Sequence, residues 1–203
     1  MDGRDIAVLL YDGFDELDAV GPYETFRNAG LDATTRTLDD RERVEGSHGL
    51  TVAPDGRLAD ADPDLLLVPG GGWNARAEAG AWAEVERGDL PRAVRDAHDA
   101  GVTVASVCTG GMVLAAAGVL DGRPAVTHHG ALGDLREYDV DVVDARVVDD
   151  GDVLTAGGVT AGLDLALHVV SEVRGDDVAR EVADGMEYRR VGDVYRGEGA
   201  GRD

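Results

Sequence analysis

VTVASVCTGG, residues 102–111, is an apolar run that ends in a cysteine, a threonine and two glycines. The run has the length and the valine content of a buried strand, and residues 112–117 continue as an apolar, alanine-rich helical segment that stops at Gly118. Cys108 therefore lies in a sharp strand-to-helix turn, the geometry of a nucleophile elbow, with its side chain over the sheet edge. This unit predicts an α/β protein.

Strands and helices alternate on both sides of this unit. The further strands are predicted at residues 6–10, 34–38, 65–68, 140–148 and 153–154, the helices at 18–27, 90–100, 160–173 and 177–186, and hairpins at 41–52 and around 149–152. This alternation is typical of a mostly parallel sheet with helices on both faces. Because sites in such sheets form beyond the carboxyl ends of strands, we expect the loops at residues 12–18, 69–72 and 108–111 to converge.

Length and composition indicate how the chain is organised. A chain of 203 residues suits one large domain, which we place at residues 1–188. Residues 189–203 are rich in Arg and Gly and are expected to form a polar C-terminal tail with little to bury. The single cysteine rules out an intramolecular disulfide and a cysteine-rich metal site. We expect no metal, because no group of residues has metal-ligand spacing, and we expect no cofactor.

The charge balance excludes some partners. The chain has 41 acidic and 19 basic residues, a formal net charge of −22, and every basic residue is Arg. Such a surface repels phosphate backbones and anionic membranes, so we expect no nucleic acid and no membrane partner. An acidic, lysine-free surface is what a cytoplasm holding molar salt requires, and we hypothesise a halophilic archaeal source. The alternative is a generically acidic protein from a GC-rich genome.

No targeting or membrane segment is evident. The N-terminal residues run almost directly into a short apolar strand, without a charged-then-apolar leader. No stretch approaches the roughly 18 apolar residues of a membrane span. We therefore expect a soluble, cytoplasmic protein.

The predicted loops carry groups with possible chemical roles. The helix after Cys108 presents unpaired N–H groups and a partial positive charge, which favour thiolate over thiol; the alternative is a small buried hydrophobic residue. The N–H groups of residues 69–72, Pro-Gly-Gly-Gly, with that of Thr109, would form an oxyanion hole; the alternative is a flexible turn. Asp18 either points inward to the site or caps its helix.

The histidines are the candidate bases. His128 and His129 follow Thr127, and because adjacent residues on a strand face opposite ways, at most one of them faces the cysteine. His168 lies in the middle of a predicted apolar helix and is expected to be a hydrogen-bonded core residue. His48 and His98 are expected at the surface.

The chain resembles the ThiJ/PfpI superfamily, which has a flavodoxin-like, class I glutamine amidotransferase-like fold. The four segments that carry the resemblance are LLYDGFDELDAVGPYETFRNAG, DLLLVPGGGW, VTVASVCTGGMVLAAAGVLDGRPAVTHH and VLTAGGVTAGLDLALHVV. They span roughly residues 6–170. Within the superfamily, the chain is most similar to the isonitrile hydratase branch and to the sensor domains of AraC-type regulators. Both have a Cys-Thr-Gly elbow, a Gly-Pro-Tyr-Glu helix and an Ala-Gly-Gly-Val-Thr-Ala-Gly segment.

The resemblance implies roles for particular residues. Cys108 would be the nucleophile, Asp18 the acidic residue that touches it, and Thr109 the residue that shapes the catalytic pocket. The candidates for binding the oxyanion or the substrate are Gly71, Gly72, Thr109 again, and His128. Thr109 also stands where family proteases have a histidine base, so peptidase activity is disfavoured. The chain ends soon after the last matching helix, so we do not expect a DNA-binding regulator.

These residues favour addition of water to a small electrophile. The leading hypothesis is hydration of an isonitrile to an N-substituted formamide through a thioimidate on Cys108. A glyoxalase- or deglycase-like stress enzyme is the second hypothesis, with His128 or His129 as its base. A non-enzymatic cysteine redox sensor and a small-molecule sensor domain are the others. The resemblance further implies a homodimer with the site near the interface.

Overall fold

The computed structural model describes residues 5–201. The first four residues of the predicted domain and the last two of the predicted tail lie outside the described residues. The strands are β1 (Asp5–Leu9), β2 (Asp32–Thr37), β3 (Val44–Glu45), β4 (Thr51–Val52), β5 (Gly56–Arg57), β6 (Leu65–Val68), β7 (Thr103–Val107), β8 (Pro124–Ala125), β9 (Asp141–Val142), β10 (Val147–Asp149), β11 (Val153–Ala156) and β12 (Val194–Arg196). The α-helices are α1 (Glu16–Asn28), α2 (Ala81–Arg87), α3 (Asp89–Asp99), α4 (Gly110–Ala117), α5 (Leu132–Leu135), α6 (Ala161–Arg174) and α7 (Asp176–Gly185).

The main sheet has eight strands in the order β12-β10-β11-β7-β6-β1-β2-β5. All neighbouring pairs are parallel except β10 and β11, which form the predicted hairpin. Two groups of helices pack against it: α1 with α6 and α7, and α2 with α3 and α4. The predicted fold class, a mostly parallel flavodoxin-like sheet with covering helices, is confirmed.

The core is centred on β6 and its neighbours. Each residue of β6 is completely buried, because β1 and β7 flank the strand and helices cover it. Burial on both faces explains why this strand is a continuous apolar run rather than an alternating one. Each fully buried leucine, such as Leu66, contributes about 1.5–3 kcal/mol relative to an exposed one.

Several elements differ from the sequence-based prediction, and three of them illustrate why. The strand predicted at residues 140–148 is split, since β9 pairs with β8 in a separate small sheet whereas β10 pairs with β11. Helix α2 was not predicted, because its seven residues are too few to show a helical period. The segment expected to be a polar tail contributes β12, an edge strand that pairs in parallel with β10. The predicted hairpin at residues 41–52 is present as β3 and β4.

The loops that follow β1, β6 and β7 meet at one edge of the sheet. The Asp15 amide donates to the Gly70 carbonyl at 2.8 Å, and the Gly71 amide donates to Thr109 Oγ1 at 2.9 Å. The predicted convergence is therefore confirmed. No helix within residues 5–201 combines the length and apolar character needed to span a bilayer.

Candidate active site

Cys108 occupies a strained elbow between β7 and α4. Its φ of 56° lies in the left-handed region, which residues other than glycine adopt only at a cost. Its amide donates to the carbonyls of Ala156 and Gly157 at 3.1 and 2.8 Å, and its carbonyl accepts from Thr127 Oγ1 at 2.7 Å. These three hydrogen bonds fix the elbow to the neighbouring loops.

The glycine after the elbow allows a close packing of backbone on backbone. A Cβ at Gly110 would lie 2.1 Å from the carbonyl oxygen of Val68, so no larger residue fits there without moving β6 or α4. The start of α4 therefore sits directly against the end of β6. This contact places the Cys108 side chain beside the 69–72 loop.

Asp18 lies in the first turn of α1 and is completely buried. Its Oδ2 accepts from the Gly70 amide at 2.9 Å, while Oδ1 has no nitrogen or oxygen partner among the described residues. Burial and the charge of Asp15 raise the pKa of Asp18 to about 7, against the lowering effect of donors from Gly70 and Cys108. The position that caps α1 is Asp15, so the capping alternative for Asp18 is wrong.

Cys108 is 6% exposed, and the pKa of its thiol is raised to about 12 by burial and then by the negative charge of Asp18. The amides of Thr109 and Val159 hydrogen-bond to the sulfur and lower the pKa, but by less. The expectation that the helix N-terminus yields a low-pKa thiolate is therefore wrong, because burial beside a carboxylate outweighs it. Between pH about 7 and about 12, the Asp18–Cys108 pair holds one proton.

The glycine-rich loop contributes differently from the prediction. The Gly71 amide, expected to be a free oxyanion donor, is already hydrogen-bonded to Thr109 Oγ1. Gly71 and Gly72 have φ of 129° and 70°, and a Cβ at Gly71 would lie 2.2 Å from the Gly13 carbonyl oxygen. Their role in this structure is thus to permit close approach of two loops. The amides that reach the sulfur belong to Thr109 and to Val159, a residue to which the sequence analysis gave no role.

The two adjacent histidines do not lie on a strand. His128 precedes a short 3-10 helix, His129–Ala131, and the two rings lie 4.2 Å apart, so the expectation that they face opposite ways is wrong. His129 is exposed, whereas His128 is half-buried and its ring lies 3.4 Å from where a Cβ of Gly158 would be. Burial lowers the pKa of His128, so it is neutral at pH 7. His128 is the histidine closer to the Val159 loop.

An open cavity of about 520 Å³ adjoins the Val159 side of the site. Glu16 at its rim accepts from the amide and Nδ1 of His48, both at 2.6 Å, and hydrogen bonds from His48 hold the pKa of Glu16 at about 2 despite its burial. The other rim residues are Asp15, Leu17, Leu50 and Val159. The rim thus combines an ionised carboxylate with apolar side chains.

Within residues 5–201, two clusters each contain three side chains that could ligate a metal, with their ligand atoms within 4.8 Å of one another. The first is Asp15, Glu16 and His48, and the second is Asp149, His168 and Glu172. Both are already internally paired. His168 Nε2 donates to Asp149 Oδ2 at 2.7 Å, as expected of a hydrogen-bonded core histidine, and Arg196 pairs with Asp149 and Glu172. We assign no metal to either group.

The fold and the site define an α/β protein with a buried cysteine on an elbow beside an acidic residue. Residues 4–172 match the DJ-1/PfpI family, and the chain belongs to that family. It is 34% identical to the isonitrile hydratase of Pseudomonas putida over 184 residues, which cover 90% of this chain and 78% of that protein. It is 32% identical to a deglycase of Pyrococcus abyssi over 149 residues, covering 72% of this chain and 85% of the other.

The solved structures agree with this assignment. A ThiJ/PfpI family protein from Pseudomonas syringae superimposes with a TM-score of 0.83 at 29% sequence identity, over 95% of this chain and 78% of that one. The relatives therefore include an isonitrile hydratase and a deglycase, and family membership alone does not select between these two activities.

Proposed function

We propose that this protein is a cysteine-dependent hydratase that converts an isonitrile, R–N≡C, to the N-substituted formamide. The observation that carries the proposal is the Asp18–Cys108 pair, whose raised pKa values of about 7 and about 12 leave it with one proton once the pH exceeds about 7. Hydration of an isonitrile adds a nucleophile and a proton to the same carbon. A thiol and a carboxylate that share one proton supply both.

In the first step, Asp18 removes the proton from the Cys108 thiol as the sulfur attacks the terminal isonitrile carbon. The protonated Asp18 then delivers that proton to the same carbon. The product is a thioimidate, Cys–S–CH=N–R, and Asp18 is again a carboxylate. The amides of Thr109 and Val159, which hydrogen-bond to the sulfur, stabilise the charge that develops on it before the C–S bond forms.

In the second step, the Asp18 carboxylate takes a proton from water as the oxygen adds to the thioimidate carbon, and that proton passes to the nitrogen. The tetrahedral adduct, Cys–S–CH(OH)–NH–R, then collapses. The C–S bond breaks, the hydroxyl proton passes through Asp18 to the leaving sulfur, and the formamide HC(=O)–NH–R is released. One water is consumed for each isonitrile, and the enzyme returns to its starting protonation state.

A glyoxalase- or deglycase-like activity is the second candidate. It is supported by a deglycase relative and by the neutral, half-buried His128 near the Val159 loop, which could serve as a base. The burial and the raised pKa of Cys108 count against the redox-sensor hypothesis, which called for an exposed thiol of low pKa. Thr109 has no basic group, which disfavours peptidase activity.

The deciding experiment is incubation of the purified protein in molar KCl with a simple alkyl and a simple aryl isonitrile, with formamide followed by NMR. We expect turnover by the wild type and none by Cys108→Ala or Asp18→Asn. Asp12→Asn is the matched control, because Asp12 is an exposed carboxylate near the start of the same loop. If the wild type forms no formamide but produces lactate from methylglyoxal, and His128→Ala loses that lactate production, the second candidate is selected instead.

We further propose that the protein acts in the cytoplasm on a small-molecule substrate, as a homodimer. The homodimer is supported by an exposed apolar patch formed by Leu17 and Val20 of α1 and by Leu50, which are 42%, 39% and 47% exposed. We assign the patch to a second copy of this chain. Contact between two apolar patches does not require a basic partner, although the rest of the surface is acidic.

A further inference from the structure

Tyr11 is a buried residue to which the proposed mechanism gives no role. It follows β1, is 4% exposed, and its hydroxyl donates to the carbonyl oxygen of Pro69 at 2.5 Å. Pro69 begins the glycine-rich loop that borders the site. A buried hydroxyl directed at that loop therefore connects the core of the sheet with the active-site backbone.

The acceptor of this hydrogen bond belongs to the same peptide group that contacts Asp18. The carbonyl of Pro69 and the N–H of Gly70 are the two ends of one planar amide. Tyr11 binds its oxygen end, and Asp18 Oδ2 binds its N–H end at 2.9 Å. The hydroxyl, the peptide and the carboxylate thus form a continuous hydrogen-bonded chain.

We propose that Tyr11 is a positioning residue for the Asp18–Cys108 pair: its hydroxyl orients and polarises the Pro69–Gly70 peptide, whose N–H holds the Asp18 carboxylate. The inference rests on the proposed function only in assigning a catalytic role to that pair. Tyr11 itself touches neither the sulfur nor the substrate in the proposed steps.

The physical basis is cooperativity along the chain. A hydrogen bond to an amide oxygen draws electrons toward that oxygen and makes the N–H of the same amide a better donor, by roughly 10–30% per bond. A better donor stabilises the charged form of Asp18 and so lowers its pKa. Tyr11 thereby limits the rise that burial and Asp15 impose on the pKa of Asp18.

The hydroxyl remains a donor at every working pH. Burial raises the pKa of Tyr11 well above its usual value, and the negative charges of Asp18, Glu84, Cys108 and Asp15 raise it further. These are also the titratable groups that face the chain, and none of them is a base strong enough to remove the phenolic proton at neutral pH. The hydrogen bond to Pro69 therefore does not titrate together with the Asp18–Cys108 pair.

The test is the pH dependence of alkylation of Cys108, the single thiol, by iodoacetamide. Alkylation requires that the pair has lost its first proton, so its rate rises with a midpoint near the Asp18 pKa of about 7. For Tyr11→Phe we expect that midpoint to move upward by about 0.3 pH units, because the Gly70 N–H becomes a weaker donor. Tyr188→Phe is the matched control, since it removes a hydroxyl that donates to another carboxylate, Asp164.

A second variant covers the case in which Tyr11→Phe does not fold. Site-specific 3-fluorotyrosine at position 11 keeps the ring and makes the hydroxyl a stronger donor, so the midpoint should move downward. Opposite shifts in the two variants cannot arise from a packing defect. Unchanged midpoints in the folded variants would overturn the positioning role.

Asp18→Asn separates this inference from the proposed function. Loss of the midpoint in Asp18→Asn, with no shift in Tyr11→Phe, would remove only the role of Tyr11. A midpoint that persists in Asp18→Asn would show that the Asp18–Cys108 pair does not control the thiol, and both proposals would fail. Neither result depends on turnover of an isonitrile.

Discussion

At the scale of single residues, Asp18 combines a role in the site with a cost to the fold. Its pKa of about 7 in the folded chain is above the ordinary value of 3.8, so the folded state binds a proton more tightly than the unfolded state does. A raised pKa of this kind contributes stability that is complete below pH about 4 and is lost as the pH rises through about 7. The lost contribution is at most about 4 kcal/mol.

We therefore predict that Asp18→Asn stabilises the protein at pH 8 and has little effect at pH 4. Asn keeps an oxygen for the Gly70 amide but carries no buried charge at either pH. The measurement is urea unfolding of wild type and variant at both pH values. A constant difference between the two proteins would show that Asp18 does not titrate between these values.

The pH profile of the activity follows from the same pair. We predict that kcat/KM for an isonitrile rises through pH about 7, because the doubly protonated pair below that pH has no base to remove the thiol proton. We expect kcat/KM to decline near pH about 12, where the pair loses its second proton. A profile that rises only near the ordinary thiol pKa would contradict the role of Asp18.

At the scale of elements, the contact between α4 and β6 depends on a missing side chain. We predict that Gly110→Ala lowers the free energy of unfolding by about 2–3 kcal/mol, since its Cβ would meet the Val68 carbonyl at 2.1 Å. Gly133→Ala is the control: Gly133 lies in α5 with no atom within 4 Å of the added Cβ, and its replacement should stabilise by about 0.5–1 kcal/mol. Equal effects of the two would contradict the packing described.

The elements also explain what could be predicted from the sequence. Strands β1, β6 and β7 were predicted because strands buried on both faces are apolar throughout, and the loops after them had to share one edge. Strand β12 and helix α2 were not predicted. They have three and seven residues of mixed polarity, and such short segments acquire their structure from the element that they pair or pack with. In the site, Cys108 and Asp18 were predicted from loop positions and from the family resemblance.

The remainder of the site required the tertiary structure. The Val159 amide reaches the sulfur from a loop far along the chain, and no sequence pattern marks a backbone donor of that kind. Tyr11 belongs to a short apolar run, where tyrosine indicates burial but does not reveal which carbonyl its hydroxyl meets. The pKa of Cys108 was predicted in the wrong direction, because its burial and the negative charge of Asp18 outweigh the helix terminus.

At the scale of the whole molecule, the net charge of −22 dominates. Mutual repulsion opposes the compact state, and salt reduces its range from about 10 Å at 0.1 M to about 3 Å at 1 M. We predict that the free energy of unfolding and the Tm rise between these KCl concentrations. Calorimetry in KCl, repeated in an uncharged osmolyte of equal osmolarity, measures the effect. An equal response to both would assign it to hydration instead of charge.

The proposed homodimer can be tested at its apolar patch. Val20→Asp places a charge in the exposed patch and should convert a dimer to a monomer in light scattering. Val191→Asp is the control, because Val191 is 55% exposed but belongs to the C-terminal segment and not to α1 or the 41–52 hairpin. A wild type that is monomeric in molar salt, or dissociation by both variants, would contradict the interface.

The left-handed backbone of Cys108 has a consequence for selection experiments. A non-glycine residue in this region costs about 1 kcal/mol or more, and the buried Asp18 adds its own destabilisation at neutral pH. Cys108→Gly and Asp18→Asn should therefore each fold more stably than the natural chain while lacking the thiol or its proton partner. A screen for thermostability alone would enrich such chains, which the proposed mechanism makes inactive, so any directed evolution of this protein has to select for turnover in the same round.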